Sequence, residues 1–295
     1  MGTVVGMRGW WRDLNDLVLP AECGGCGRQR AVLCGRCRAA LNGTAPRRAR
    51  PVPEPVGLPA VYAAARYGDE VRAALLAHKE RGALGLAHPL GEALAGAVRA
   101  GLRGARALDG HGEVLLVPVP SSRGAVRARG HDPARRIALA AAARLRATGT
   151  PARVAAVLRQ RRPVADQAGL DARQRARNLA GALSVTSSGG ALLARADRIV
   201  LVDDLVTTGA SLAEAARAVT LGARQGPPGT AVDGGAIRSV YAAASREVRE
   251  DGSEGDEGTA RSVDERTGGT ARTAGRIVCA AVVAASRASL EINRN

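Results

Sequence analysis

The sequence predicts an α/β protein, a parallel sheet flanked by helices, preceded by a small cysteine-bearing module. Three observations carry that expectation. From residue 60 onward short apolar runs alternate with Ala/Leu/Arg helical patterns, the order that produces parallel strands joined by crossover helices, with a ligand site at the strands' carboxyl ends. One apolar run, residues 199–202, ends in two aspartates and a Thr/Gly/Ser turn before a helical segment at 212–221. Near the N-terminus, four cysteines stand as two C-x-x-C pairs.

In chain order, residues 1–20 carry Arg8, Arg12, Asp13 and Asp16 among their apolar residues, which is not the pattern of a signal peptide. No run of about 18 apolar residues occurs, so a soluble, cytoplasmic protein without a membrane span is expected. Cys23-x-x-Cys26 and Cys34-x-x-Cys37 are separated by seven residues and surrounded by Gly24, Gly25, Gly27 and Gly35. Paired knuckles of this kind present four thiolates in a tetrahedron to a structural Zn²⁺, and the glycines suit the tight turns. Two redox motifs or disulfides are the competing readings. Cys279 stands apart in an apolar run and reads as an inert buried thiol. Five prolines in residues 45–59, with Arg47, Arg48 and Arg50, read as an extended linker. The expected organisation is therefore a zinc ribbon within 1–44, a linker at 45–59, and a main domain over 60–295.

Within the main domain the patterns predict strands at 114–119, 154–158, 183–185, 199–202 and 277–283. Helices are expected at 69–77, 86–102, 134–147, 171–178 and 212–221. The chain has no Phe, and its aromatics are Trp10, Trp11, Tyr62, Tyr67 and Tyr241. The core must be built from Ala, Val and Leu, and the scarcity of stacking platforms counts against a sequence-reading RNA binder. Residues 222–275 hold 11 Gly, 7 Arg and 9 acids in 54 residues, a composition that buries little surface and reads as a disordered insertion. Lengthening one loop costs little closure entropy, so the following run at 276–284 is expected to pair with 199–202.

Lys and Arg total 43 against 27 Asp and Glu, a net charge of +16. Such a field attracts phosphates, nucleotides or nucleic acid. Lys79 is the only lysine, so arginine is this chain's default cation and a lone Arg carries little information. The retained ammonium of Lys79 fits a point-charge contact to phosphate, or chance. The string at 199–211 is more specific. Backbone N–H groups of the turn and the following helix N-terminus make an anion cradle, Gly209 permits close approach, and Thr/Ser hydroxyls add donors. Asp203 and Asp204 would repel phosphate but suit sugar hydroxyls, so the combination reads as a ribose 5-phosphate site. Ser211-x-x-Glu214 also fits an ordinary helix capping box, with the aspartates as turn residues.

The string resembles the 5-phosphoribosyl 1-pyrophosphate (PRPP) loop of type I phosphoribosyltransferases. Together with the cysteine ribbon, Ala65-Arg66-Tyr67-Gly68, Lys79-Glu80-Arg81-Gly82, Val117-Pro118-Val119-Pro120 and Arg129-Gly130, it is similar to the ComF family, over most of residues 15–221 plus the run near 276–285. The resemblance implies a type I phosphoribosyltransferase fold and an enzyme that displaces pyrophosphate from PRPP with a nitrogen acceptor, in a family linked to DNA uptake. It implies that Asp203 and Asp204 hold the ribose hydroxyls as catalytic residues, and that Thr207, Thr208, Gly209, Ala210 and Ser211 wrap the 5-phosphate. Ser121, Ser122 and Arg123, with Lys79, would receive pyrophosphate, and Mg²⁺ would accompany PRPP. Pro118 and Pro120 also serve simply to end a strand, and Arg123, Arg127 and Arg129 also fit a solvated turn. Residues 167–178 resemble the family's mobile loop. The family often places an aromatic, an Asn and a Gln after Arg-Gly, whereas His131, Asp132 and Pro133 stand here; His131 fits an acid or base, or a residue beside the Asp132 helix cap. Thr207 stands where relatives acting on 6-oxopurines carry Asp, which disfavours that acceptor. A second reading of the charge, +18 outside 222–275, is a non-catalytic adaptor that binds DNA or a DNA-uptake protein through the ribbon and basic surface.

Overall fold

The structure, a computed structural model, describes residues 22–107, 112–164, 171–224 and 276–290. A six-stranded sheet runs in the order β1 (Arg47–Ala49), β2 (Val61–Arg66), β8 (Ile277–Ala285), β7 (Arg198–Val206), β3 (Val114–Pro118) and β4 (Ala152–Val154). Every pairing is parallel except β1 with β2. Strands buried on both faces read as unbroken apolar runs, and β7 shows why. Val200 and Val202 enter one buried cluster, while Ile199 and Leu201 enter the other.

The first cluster is covered by α2 (Asp69–Glu80), α3 (Ala87–Gly104) and α5 (Pro133–Ala147), the second by α7 (Gly189–Ala194) and α8 (Ala210–Arg224). In α5, Ala134, Ile137, Ala138, Ala141, Ala142 and Leu145 are buried, a helical stripe set by the 3.6-residue period. Its start is defined by Asp132, which accepts from the Arg135 N–H, and by Pro133 in the first turn. The largest fully buried side chains are leucines and isoleucines, so aliphatic packing replaces aromatic volume. The chain leaves β3 for α5 on one face and leaves β7 for α8 on the other. Between these adjacent strands the connections diverge, which opens a crevice at their carboxyl ends.

Several expectations need revision. The expected strand 154–158 is two: β4 ends at Val154, and β5 (Leu158–Gln160) pairs antiparallel with β6 (Leu183–Val185) in a separate ribbon. Between them lies α6 (Ala172–Leu179), with an Asp171/Gln174 capping box. Strand β2 and the short helices α1 (Gly35–Asn42), α4 (Arg123–Arg129), α7 and α9 (Arg287–Leu290) are additions to the expected elements. The expected insertion begins too early: α8 continues to Arg224, and a Cβ on Gly222 would lie 2.4 Å from Val185 Cγ2, so this glycine is a packing residue. Residues 225–275 lie outside those described. Strand β8 nevertheless pairs with β7 from Ile199 to Val206, as the loop-closure argument expects. Residues 45–59 are not a bare spacer, because β1 adds an edge strand and Ala49 and Pro51 are buried. Among the described residues, no helix is long and apolar enough to cross a membrane.

Candidate functional site

The crevice at the ends of β3 and β7 is a cleft of about 470 Å³. Asp203, Asp204, Thr207 and Ser211 line it from the β7 side, and Ser121 and Ser122 from the end of β3. Lys79 and Arg129 reach it from the ends of α2 and α4, and Gln160 and Leu183 of the β5–β6 ribbon close it together with Val164 and with Leu179 at the end of α6. Residues separated by more than a hundred positions thus meet around one cavity.

The aspartates do not follow β7 but belong to it. The strand runs to Val206 because β8 keeps pairing as far as Val206 opposite Ala285, so the ladder satisfies the backbone beneath both carboxylates. Asp204 is buried and accepts from Lys79 Nζ at 2.9 Å. Asp203 Oδ1 accepts from the Asp204 N–H at 2.8 Å. Burial pushes the Asp203 carboxyl well above the ordinary aspartate range, and the neighbouring Asp204 charge adds to it, against the pull of Lys79. For Lys79, burial works against the charged form, but the attraction of Asp204 and Asp203 outweighs it and raises its pKa. Lys79 is thus ion-paired with Asp204 within the same cleft that Ser121 and Ser122 line.

After β7 the chain turns through Thr207, Thr208 and Gly209 into α8. Gly209 has φ +75°, and a Cβ there would lie 2.9 Å from Leu58 Cδ2. Only glycine meets both demands. Residues Pro51 and Leu58 of the expected linker thus pack against the turn. Thr208, Gly209 and Ala210 build this turn and the start of α8 but do not line the cleft, whereas Thr207 and Ser211 do. The capping-box alternative is not realised: Glu214 is buried, accepts from the Leu183 N–H at 2.9 Å, and pairs with Arg217 Nε at 2.7 Å. Burial raises the Glu214 carboxyl, but Arg217 and the Leu183 N–H outweigh it and hold it below the usual range. Glu214 ties α8 to β6 rather than capping α8.

On the opposite wall Ser122 caps α4, its Oγ accepting from the Ala125 N–H at 3.1 Å, and the Ser121 N–H donates to Asp132 Oδ2 at 3.4 Å. Arg123 begins α4 as an exposed side chain and does not line the cleft. Arg129 takes that place. Its side chain is 17% exposed, Nε lies 3.7 Å from Glu80 Oε2, and Nη1 is buried without a hydrogen-bond partner among the described residues. An orphan buried guanidinium N–H beside a cavity is costly unless an acceptor enters. The signal is present in Arg129-Gly130: Gly130, at φ +74°, stops α4 and makes Arg129 its last residue. His131 is buried outside the cleft, Nδ1 lying 3.2 Å from the Arg129 carbonyl and Nε2 3.1 Å from the His78 carbonyl. It packs edge-on against His78 and joins the α2 end to the α4–α5 corner, the structural alternative of its two readings. Burial lowers the pKa of His78. The expected loop residues Gln167, Ala168, Gly169 and Leu170 lie outside the described residues.

The ribbon cysteines come together as expected. The sulfurs of Cys23, Cys26, Cys34 and Cys37 all lie within 4.8 Å of one another, and none of the five cysteines is in a disulfide. A tetrahedral zinc with bonds of about 2.3 Å needs such a cluster. The Cys34 N–H donates to Cys23 Sγ at 3.2 Å. Burial pushes the Cys23 thiol up, but backbone N–H groups of Cys34, Cys26 and Gly25 overcome it and bring the pKa to about 6. A Cβ on Gly25 would meet Cys37 Sγ at 2.7 Å, so the knuckle closes too tightly for any other residue. The donor set fits a metal ion such as zinc. Cys23, Cys34 and Cys37 are buried in the same cluster as Leu86 and Leu90, so the ribbon is part of one core. Cys279 is fully buried, and burial pushes its thiol to about 12.

No protein-family model, curated protein or solved structure matches the chain. Fold and site together define an α/β protein with a mostly parallel mixed sheet, a cleft at the strands' carboxyl ends, and a four-cysteine cluster compatible with a zinc ribbon.

Proposed function

We propose that the cleft binds PRPP and that the chain is a phosphoribosyltransferase of the type I fold, resembling the ComF family. The observation that carries this reading is the arrangement around one cavity of two carboxylates near the end of β7, Thr207 and Ser211 flanking a left-handed glycine turn, Lys79 paired with Asp204, and Arg129 on the opposite wall. Each part suits one portion of a phosphoribosyl ligand.

Asp203 and Asp204 face the ribose hydroxyls. Asp203 Oδ1 already accepts from the Asp204 N–H, which fixes the pair in position beside the cleft. Thr207 and Ser211 offer hydroxyls and the turn offers backbone N–H groups to the 5-phosphate. Arg129, with its orphan Nη1, and the hydroxyls of Ser121 and Ser122 serve the pyrophosphate. The bond broken joins the anomeric carbon to a pyrophosphate oxygen, which leaves with the electron pair. The bond formed joins that carbon to a nitrogen acceptor, which then loses a proton. Catalysis is positioning and charge neutralisation, and no protein nucleophile is needed. Asp203 and Asp204 are hard oxygen donors of the type Mg²⁺ requires, and a bound Mg²⁺ would neutralise pyrophosphate charge. It would compete with Lys79 for Asp204.

The test is isothermal titration of the zinc-loaded chain with PRPP, with and without Mg²⁺. Saturable, Mg²⁺-dependent binding that is lost in Asp203→Asn with Asp204→Asn supports the reading. Undiminished binding in that double variant refutes the site.

A further inference from the structure

Two helix ends meet behind the cleft wall, and one imidazole lies between them. At the end of α2 the N–H groups of Arg81 and Ala83 both go to the Ala77 carbonyl, at 3.2 and 3.1 Å, which leaves the His78 carbonyl without a backbone donor. At the end of α4 the Gly130 N–H goes back to Val126, and Pro133 has no N–H to offer the Arg129 carbonyl. His131 serves both orphans. Its Nε2 lies 3.1 Å from the His78 carbonyl oxygen and its Nδ1 3.2 Å from that of Arg129, and the residue is 8% exposed. A carbonyl only accepts, and a neutral imidazole has one N–H, so a neutral ring would donate to one carbonyl and turn a lone pair on the other. The imidazolium donates to both, and each helix directs the negative end of its dipole toward it.

The charged surroundings come from three elements. From α2, His78 meets the ring edge-on at 5.5 Å, with Lys79 and Glu80 following it in the chain. From α4 comes Arg129, whose Nε lies 3.7 Å from Glu80 Oε2, and from the start of α5 come Asp132 and Arg136. Asp132 accepts from the Arg135 and Ser121 N–H groups. His78 is the uncharged member of the pair: burial, and then the charges of His131 and Arg136, lower its pKa. The His78 carbonyl belongs to the peptide that carries Lys79, and the other carbonyl is that of Arg129 itself. Both side chains line the cleft, and the charge of Arg129 opposes that of Lys79, so the helix ends that bear them need a tie. We propose that His131 is a positioning residue of the cleft: its imidazolium bridges the ends of α2 and α4, holds Lys79 against Asp204 and Arg129 over the cavity, and frees one helix end when it loses a ring proton. The tie itself does not depend on what the cleft binds; its effect on PRPP rests on the reading given above.

The test follows the full zinc-loaded chain by nuclear magnetic resonance, isotope-labelled at its histidine and lysine nitrogens and its backbone carbonyl carbons, from about pH 5 to about pH 9. Lys79 is the only lysine, so one Nζ signal reports it. In the wild type both ring nitrogens of His131 are expected to carry protons at the acid end. As the ring titrates, the carbonyl signals of His78 and Arg129 and the Lys79 Nζ signal are expected to shift at the same midpoint, readings that need no variant. In His131→Gln, which keeps a neutral donor for one carbonyl, that step is expected to vanish from the Lys79 signal while the step caused by Asp203 persists. PRPP affinity in this variant is expected to fall by roughly tenfold, the scale of one charge-assisted hydrogen bond, and to lose its dependence on the ring. A His131 nitrogen that stays unprotonated at the acid end, or carbonyl and Lys79 signals that do not follow the ring, overturns the proposal. So does unchanged PRPP affinity in His131→Gln at every pH. Absence of PRPP binding in the wild type refutes the reading of the cleft instead, and the ring, carbonyl and Lys79 signals then decide the proposal by themselves.

Discussion

Removing the charge of Lys79 is the most direct probe of the acid pair at the end of β7. In Lys79→Met the aliphatic stem remains and the ammonium is lost. The Nζ to Asp204 Oδ2 distance is 2.9 Å, which at an effective dielectric constant of about 20 corresponds to roughly 6 kcal/mol of attraction. Most of that is not net stability. The Lys79 side chain is 38% exposed and that of Asp204 11%, so solvent screening and the desolvation of both groups leave about 1–2 kcal/mol. The assay is urea unfolding followed by far-UV circular dichroism, at neutral pH with zinc retained, on Lys79→Met, Asp204→Asn and the double variant. The expected result is a coupling of about 1 kcal/mol, the double variant losing less than the two single losses added. Because Lys79 is raised above its ordinary value of 10.5, the contribution is present below that value and is lost as pH rises through the raised one. On acidification the deficit of Lys79→Met shrinks as Asp203, whose carboxyl titrates well above the usual range, takes up its proton. A coupling within about 0.3 kcal/mol of zero would refute the electrostatic account of the cleft.

Further outcomes follow from the same geometry. Asp203 binds its proton more tightly folded than unfolded, so its ionised form costs stability above the folded value and costs nothing below the ordinary 3.8. Asp203→Asn, which keeps an acceptor for the Asp204 N–H, is expected to be more stable than wild type at pH 7, by an amount that fades as pH falls toward 4, while losing PRPP binding; a calorimetric pH series measures both. Chelation with a strong zinc ligand, or Cys37→Ser, is expected to lower the thermal midpoint of the whole chain rather than release a separate ribbon, because Cys37 is buried in the core with Leu86 and Leu90. Glu214→Leu strands the Leu183 N–H and removes the carboxylate partner of Arg217, with an expected loss of about 2–3 kcal/mol by chemical unfolding. Gly91→Ala places a methyl 2.4 Å from Ala140 Cβ and is expected to cost about 1–3 kcal/mol by forcing α3 off α5.

Legibility from sequence follows how local each determinant is. The cysteine knuckles and the string from Ile199 to Ser211 carry their meaning in consecutive residues, since a turn that needs φ above zero must declare its glycine. Strand β2 is hard to read because Tyr62 and three alanines make a weak strand signal, and it is held by pairing with β8 on one edge and β1 on the other. The exchange of Arg123 for Arg129 follows from helix phase. Ser122 caps α4 and Gly130 stops it, so the first arginine faces solvent and the last faces the cleft. The linker reading falls short because proline content marks extended backbone but does not say whether an edge strand is waiting to receive it.

By itself the sequence determined the alternation of strands and helices, the pairing of the final strand across a long interruption, the cluster of four cysteines, and the glycine turn after β7. These depend on period, spacing and backbone conformation, which are properties of neighbouring residues. Only the tertiary structure decided that Lys79 pairs with Asp204, that Arg129 holds an orphan donor over the cleft, and that Glu214 ties α8 to β6. Those contacts join residues far apart in the chain, and a side chain's charge state and partner are set by what folding packs against it.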